Sequence, residues 1–257
     1  MPTFDLQFAS HDGLKLGATI LLPDGDGPHP AAVIQQGSIC CDRDGNAPRV
    51  GWKSTMYRRM AEMLAERGIA TIRYDKRQWD VLKPQPLTYT LNDRLADLCA
   101  AYKVLANTPR VDPARTSIVG HSEGGMVTQL AAPIMKPWRI AVLASPALSI
   151  FDSGADRAAW RISTGKPALV ASGEALQAAL GEMKHRAKDG PDFTPDEFEA
   201  FKEPYVKLNA MAGWESWPWM KAHALLDMPA AVSKVPCPAL HLHGDRDTMV
   251  APTNLKR

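Results

Sequence analysis

With 257 residues, 45% of them hydrophobic and 23% charged, the chain has ordinary globular composition, which excludes wholesale disorder and leaves room for one large α/β domain carrying an inserted subdomain. Thirty basic and twenty-eight acidic residues leave a formal charge of +2 with both signs scattered, so neither nucleic acid nor an anionic membrane surface is the expected partner. A neutral or modestly polar small molecule suits such a surface better.

Phe4, Leu6 and Phe8 alternate with Asp5 and Gln7, and a second strand pattern runs through 14–22, so the chain opens on an antiparallel ribbon. No basic segment followed by an apolar one precedes the ribbon, which argues against a secretory leader and for a cytoplasmic protein. Cys40, Cys41, Cys99 and Cys237 make no disulfide framework in a chain of this size, and adjacent Cys40 and Cys41 cannot easily bridge. Reduced thiols acting as small buried hydrophobes are expected.

After a Gly- and Pro-rich turn at 24–30 the pattern changes to short continuous apolar runs at 31–34, 69–72, 117–119 and 140–144, as in parallel strands buried on both faces. Helical stripes separate them. Met56, Met60, Met63 and Leu64 share one face with Gly68 at the C′ position, and Leu91, Leu95, Leu98, Tyr102 and Leu105 form another. Strand alternating with helix predicts βαβ units with right-handed crossovers, which put ligands at the carboxyl ends of the strands. The loops opening at Gly37, Asp75, Gly120 and Ser145 are therefore where chemistry is expected.

The longest apolar stretch, 140–151, is interrupted by Ser145, Pro146 and Ser149 and falls short of the ~20 residues a membrane span needs. From 152 to 229 the alternation breaks into helical spacing (Leu176, Leu180, Met183) and a cluster of Trp214, Trp217 and Trp219, which reads as a helical cap inserted into a core made of 1–151 and 230–257. The strand pattern resumes at 237–243.

Gly120-His121-Ser122-Glu123-Gly124 lies directly between the apolar run at 117–119 and a helical segment at 123–134. A serine on so sharp a strand-to-helix turn needs small neighbours two positions away, and the turn pushes its hydroxyl clear of the sheet. The first amides of the helix, starting with Glu123 N–H, then face the place where an oxyanion would form. A turn that merely joins strand to helix, with Ser122 as a cap, is the bland alternative.

On these residues, together with Gly37-Ser38, Asp42-Arg43-Asp44-Gly45-Asn46 and the run from Ile69 to Arg77, the sequence resembles the α/β-hydrolase family and, within it, an esterase-type branch. The resemblance implies an α/β-hydrolase fold: a mostly parallel sheet with an antiparallel N-terminal ribbon and an inserted helical cap. It implies a second oxyanion amide at Ser38, a catalytic order of serine, acid, histidine, and no cofactor or metal. Asp247, in His243-Gly244-Asp245-Arg246-Asp247, matches the acid position, with Asp245 as the runner-up carboxylate. The chain departs from the branch at Ile39, Cys40 and Cys41, and again at Gln78 and Trp79 where a glycine is usual. These changes bear on the shape of the acyl pocket and leave the reaction type untouched.

Ten residues follow Asp247 and none is histidine, whereas one further strand alone takes ~5 residues. The expectation is a chain incomplete at its C-terminus, with the base beyond Arg257 and the last strand and helix absent. The strand at 237–243 would then be an unpaired edge that favours a homo-oligomer. His11, His29, His121, His185 and His223 all precede the acid, and none is nominated as a substitute.

Two metal patterns are set aside. His241, His243 and Asp245 match zinc-ligand spacing only weakly, since Arg246 stands where a further histidine would be expected. Twelve residues counted from Asp42 end on Lys53, not on the bidentate glutamate of a calcium loop. The expected function is thus hydrolysis of carboxylic esters through an acyl-enzyme on Ser122, with Trp214 and Trp217 as candidate substrate-binding walls. A ligand-binding homologue without its base, and a thioesterase, lactonase or peptidase on the same scaffold, are the alternatives.

Overall fold

The structure, a computed structural model, describes residues 1–81, 87–201, 216–247, 250 and 254. The chain divides into two compact units, one of residues 1–82, 92–147 and 229–257, the other of 83–91 and 148–228.

The first unit is built on a seven-stranded sheet. The ribbon strands β1 (Thr3–Ala9) and β2 (Lys15–Leu21) pair antiparallel in a register running from Thr3 opposite Leu21 to Ala9 opposite Lys15. Next come β3 (His29–Gln35), helix α1 (Met56–Ala65), β4 (Ala70–Tyr74), α2 (Leu91–Ala106), β5 (Val111–His121), α3 (Glu123–Met135) and β6 (Ile140–Leu143). The strand β7 (Ala239–Leu242) follows the second unit in sequence and completes the order β1-β2-β4-β3-β5-β6-β7. β2 meets β4 antiparallel, and every pairing from β4 to β7 is parallel.

Ile34, Ile72 and Ile118, on β3, β4 and β5, are fully buried. Strands covered on both faces bury both sets of alternating side chains, which is why these runs are continuously apolar. The register places Gln35, Gly120, Val142 and His241 in one row across the sheet, so the loops after β3, β5 and β6 leave from a common carboxyl edge.

One expectation shifts. The buried face of α1 is Tyr57, Ala61 and Ala65, packed with Leu21, Ile34, Cys41 and Ala47; Met60 and Leu64 flank it, while Met56 and Met63 are exposed. Small alanines let the helix come close to the sheet, and the long methionines are displaced sideways. β7 lies at the sheet edge with all four of its residues exposed, Leu240 and Leu242 each more than half accessible.

The second unit is helical: α4 (Ile150–Ser163), α5 (Pro167–Lys188), α6 (Pro195–Phe201) and α7 (Trp217–Ala224). Ser149 caps α4 by accepting from Asp152 N–H at 3.1 Å. A Cβ on Gly173 would lie 2.9 Å from the Ala158 carbonyl oxygen, so glycine there permits the close approach of α5 to α4. Phe151, Leu176, Met183, Phe198 and Trp219 fill the interior. A short helix, α8 (Met228–Val232), spans the passage from this unit back to the first.

Candidate active site

Ser122 sits between β5 and α3 with φ 54° and ψ −126°, a conformation costly for any residue with a Cβ. It persists because the neighbours over-determine it. Ser122 N–H donates to the Leu143 carbonyl at 2.8 Å, and Gly125 N–H donates to the Ser122 carbonyl at 2.8 Å. The flanking glycines are sterically required: a Cβ on Gly120 would collide with Thr128 Oγ1 and the Gly124 carbonyl, and one on Gly124 would collide with the Gln36 carbonyl. Gly37 approaches from β3, where a Cβ would lie 3.2 Å from Ser122 Cβ.

The half-buried Ser122 lines a cavity of about 360 Å³. Ile39, Cys41, Trp52, Met56 and Val250 supply apolar wall, while Ser38, His121 and Asp247 supply polar groups. The cavity thus brings together three of the residues predicted from sequence, Ser38, Ser122 and Asp247. Among the described residues the Ser122 hydroxyl takes no hydrogen bond.

Asp247 is tied into its turn. Its Oδ1 accepts from Val250 N–H at 2.9 Å, and Oδ2 lies 3.6 Å from His243 Nε2. That nitrogen is 2.6 Å from the Val250 carbonyl oxygen, an acceptor, so it carries a proton and donates it there. The runner-up Asp245 is exposed and is not part of the cavity wall.

The imidazole in the wall, His121, has Nδ1 3.0 Å from Tyr57 Oη, which accepts from Gly37 N–H at 3.1 Å. A phenol that accepts from an amide still has its own proton to give, and neutral imidazole can take it at Nδ1. Burial favours that neutral form by lowering the His121 pKa, against the opposing pull of the Asp247 carboxylate. Cys41, although in the wall, is no thiolate: burial pushes its pKa up to about 12.

Beneath the loop after β3 lies a group of buried charges. Lys76 Nζ donates to the Gly37 carbonyl at 2.9 Å and to the Ser38 carbonyl, and stands 3.6 Å from Glu123 Oε2. Arg94 donates to the Glu123 carboxylate and, at 2.5 Å, to the Gln36 carbonyl. Burial, reinforced by the Arg94 charge, lowers the Lys76 pKa to about 7. Glu123, expected to act through its backbone, therefore also has a buried carboxylate. Sequence reasoning misses this role for Lys76 and Arg94, since the only signal is charge at the end of an apolar strand and within an apolar helical stripe.

The Asp42-Arg43-Asp44-Gly45-Asn46 motif folds on itself. Asp42 Oδ1 accepts from the N–H groups of Asp44, Gly45 and Asn46 at 2.8–2.9 Å, and Arg43 makes a two-pronged pair with Asp75 at 3.0 and 2.7 Å. The motif shapes a loop whose far side, at Gly45 and Ala47, borders the cavity.

The predicted tryptophans divide. Trp214 lies outside the described residues. Trp217 is 3% exposed in the second unit's interior, with its ring 4.9 Å from Phe193 and its indole N–H donating to Asp192 at 2.9 Å. The described tryptophan in the cavity wall is Trp52, in a segment of 3₁₀ turn and isolated bridge with no periodicity to flag it. No described helix is long and apolar enough to cross a membrane.

A mostly parallel sheet whose interior strand β5 passes through a positive-φ serine into a helix defines an α/β protein with a nucleophile elbow. The chain belongs to the alpha/beta hydrolase family, whose profile matches residues 45–257. Over 184 residues it is 30% identical to Esterase EstD of Thermotoga maritima, a match that covers 71% of this chain and only 41% of that relative. It also superposes on the alpha/beta hydrolase GrgF from Penicillium sp. sh18 with a TM-score of 0.63 at 18% identity, covering 100% of this chain and 84% of that one. A Pyrococcus furiosus esterase gives a TM-score of 0.58 at 18% identity, covering 99% and 75%.

Proposed function

We propose that the protein is a carboxylic-ester hydrolase that works through an acyl-enzyme on Ser122. The observation that carries this reading is the strained Ser122 backbone, which holds the hydroxyl in a cavity that also contains Ser38 and Asp247. The similarity to EstD supports the choice of esters as the substrate class.

In this mechanism Ser122 Oγ attacks the ester carbonyl carbon, and the negative charge that builds on the carbonyl oxygen is met by the amides of Ser38 and Glu123. The alcohol leaves with the proton taken from Ser122, and water then hydrolyses the acyl-enzyme by the reverse use of the same groups. The carrier of that proton would be a histidine base oriented by Asp247, taking it from Ser122 and returning it to the leaving alcohol. No histidine follows Asp247 in the 257 residues, and His243 and His121 are engaged with Val250 and Tyr57, so neither is assigned that role. The apolar wall of Ile39, Trp52, Met56 and Val250 suits a small apolar acyl or alkyl group.

A short activated ester and a fluorophosphonate probe test the reading together. Hydrolysis with rapid labelling of Ser122, and a loss of ~10⁴ to 10⁶-fold in Ser122→Ala, are expected; unchanged turnover in that variant overturns it. A second reading, a scaffold that binds without turnover, is favoured by the unpartnered Ser122 hydroxyl among the described residues and predicts slow labelling or none. Thioesters, lactones and amides share every residue named here, and a substrate panel separates them.

A further inference from the structure

The loop after β3 is pinned by its carbonyl groups. Those of Gln36, Gly37 and Ser38 are taken in succession by Arg94, Lys76 and again Lys76, two cations locked in place by one carboxylate, Glu123. In a trans peptide the N–H of each residue points opposite to the C=O of the residue before it. Holding the Gly37 carbonyl on Lys76 therefore turns the Ser38 N–H away from the lysine, and holding the Ser38 carbonyl does the same for Ile39. Holding the Gln36 carbonyl on Arg94 directs the Gly37 N–H, which donates to Tyr57 Oη. Gly37, Ser38 and Ile39 all border the cavity at Ser122.

Apolar residues could pack this space at lower desolvation cost, because buried ion pairs seldom repay the loss of water. What apolar side chains cannot do is donate hydrogen bonds that hold three successive carbonyl groups. We infer that the buried side chains of Lys76, Glu123 and Arg94 set the direction of the oxyanion-loop amides, acting as positioning residues for the acyl-transfer chemistry proposed above, on which this inference rests. Glu123 then serves the site twice. Its backbone starts the helix that faces the oxyanion, and its side chain fixes, through Lys76 and Arg94, the loop that supplies the opposing amide.

The test compares Lys76→Met, Glu123→Gln and the double variant by ester kinetics, fluorophosphonate labelling of Ser122 and amide hydrogen exchange at Gly37. A misdirected oxyanion amide should lower kcat and the labelling rate by ~10² to 10³-fold. KM should stay within about threefold of wild type, since ground-state binding does not use the amide. Gly37, whose amide is directed by the Gln36 carbonyl on Arg94, should exchange faster in Glu123→Gln and in the double variant as its bond to Tyr57 loosens, and the double variant should be no worse than the poorer single one if the three side chains act as a unit. Unchanged kcat in Lys76→Met overturns the inference, and so does a lower kcat in Glu123→Gln with Gly37 exchange unaltered. Glu123→Gln, close to isosteric, provides the same readouts should Lys76→Met fold poorly. If the wild-type protein neither hydrolyses esters nor labels, it is the acyl-transfer reading that fails. Exchange at Gly37 then still decides whether these side chains hold the loop, and unaltered exchange overturns that too.

Discussion

Gly124 occupies a position where a side chain has nowhere to go: its absent Cβ would press on the Gln36 carbonyl and lie 2.5 Å from that of Gln35, both at the exit of β3. Backbone atoms in a sheet cannot swing aside as a flexible side chain can, so Gly124→Ala must move α3, the loop after β3, or both. A stability loss of about 1–3 kcal/mol is expected, the range for overpacking a tight interior. Labelling of Ser122 should fall in the same variant even under conditions where it remains folded. Urea unfolding and probe labelling check the two parts separately, and a fully stable, fully reactive variant would mean that the glycine is not sterically required. The elbow itself is legible in the sequence because a turn, two small residues and a helix start fall within five positions, whereas the clash of a Gly124 Cβ with the exit of β3 joins residues far apart in the chain. The Lys76, Glu123 and Arg94 cluster is not legible. Its members are 18 and 29 residues apart in order along the chain, and nothing in a lysine's neighbours reveals that carbonyl groups await it at the end of another strand.

Among the elements, α1 shows how far periodicity carries. Its helical repeat is readable, and its existence follows from it; the inward face is misjudged from sequence because Met56, Met60 and Met63 weigh more on any hydrophobic count than Ala61 and Ala65 do. The sheet reverses that weighting, since close approach rewards small residues. Ala61 is fully buried against the cluster of Leu21, Ile34, Cys41 and Ala47. Ala61→Leu should therefore destabilise by about 1–3 kcal/mol through overpacking. Met63→Ser on the exposed side should stay within about 0.5 kcal/mol of wild type. Thermal unfolding of the two variants decides between the faces, and the opposite ranking would restore the methionine stripe as the buried one. The parallel strands are easier to read, because burial on both faces leaves continuous apolar runs. β7 differs from them as the outermost strand, its side chains exposed at the sheet edge.

At the scale of the whole molecule, the buried lysine ties stability to pH. Lys76 has its pKa lowered from the ordinary 10.5 to about 7 by burial first and by Arg94 second, while Glu123 and the thiols of Cys40 and Cys41 also face it. Below pH 7 the folded and unfolded chains both hold the proton, and the cost of burying the charge is present in full. Between 7 and 10.5 the unfolded chain binds this proton more tightly than the folded one, so the lysine's contribution to stability rises with pH. Above 10.5 neither state holds it, and the contribution is level again. Lys76→Met lacks this group, so wild type should gain on the variant across that window by at most about 1.4 kcal/mol per pH unit. The interval from about 7 to 9 isolates the effect, because the Cys41 thiol, raised by burial from 9.0, opposes it only at higher pH. Urea midpoints for both proteins at four pH values spread from just below that interval to its upper end measure the difference. Curves that run parallel throughout would mean that Lys76 keeps its charge in the folded protein, held there by Glu123 and the loop carbonyls. A widening gap would mean that Lys76 is neutral in the folded protein at the upper end of the interval, its amine still holding two N–H groups for the carbonyls of Gly37 and Ser38.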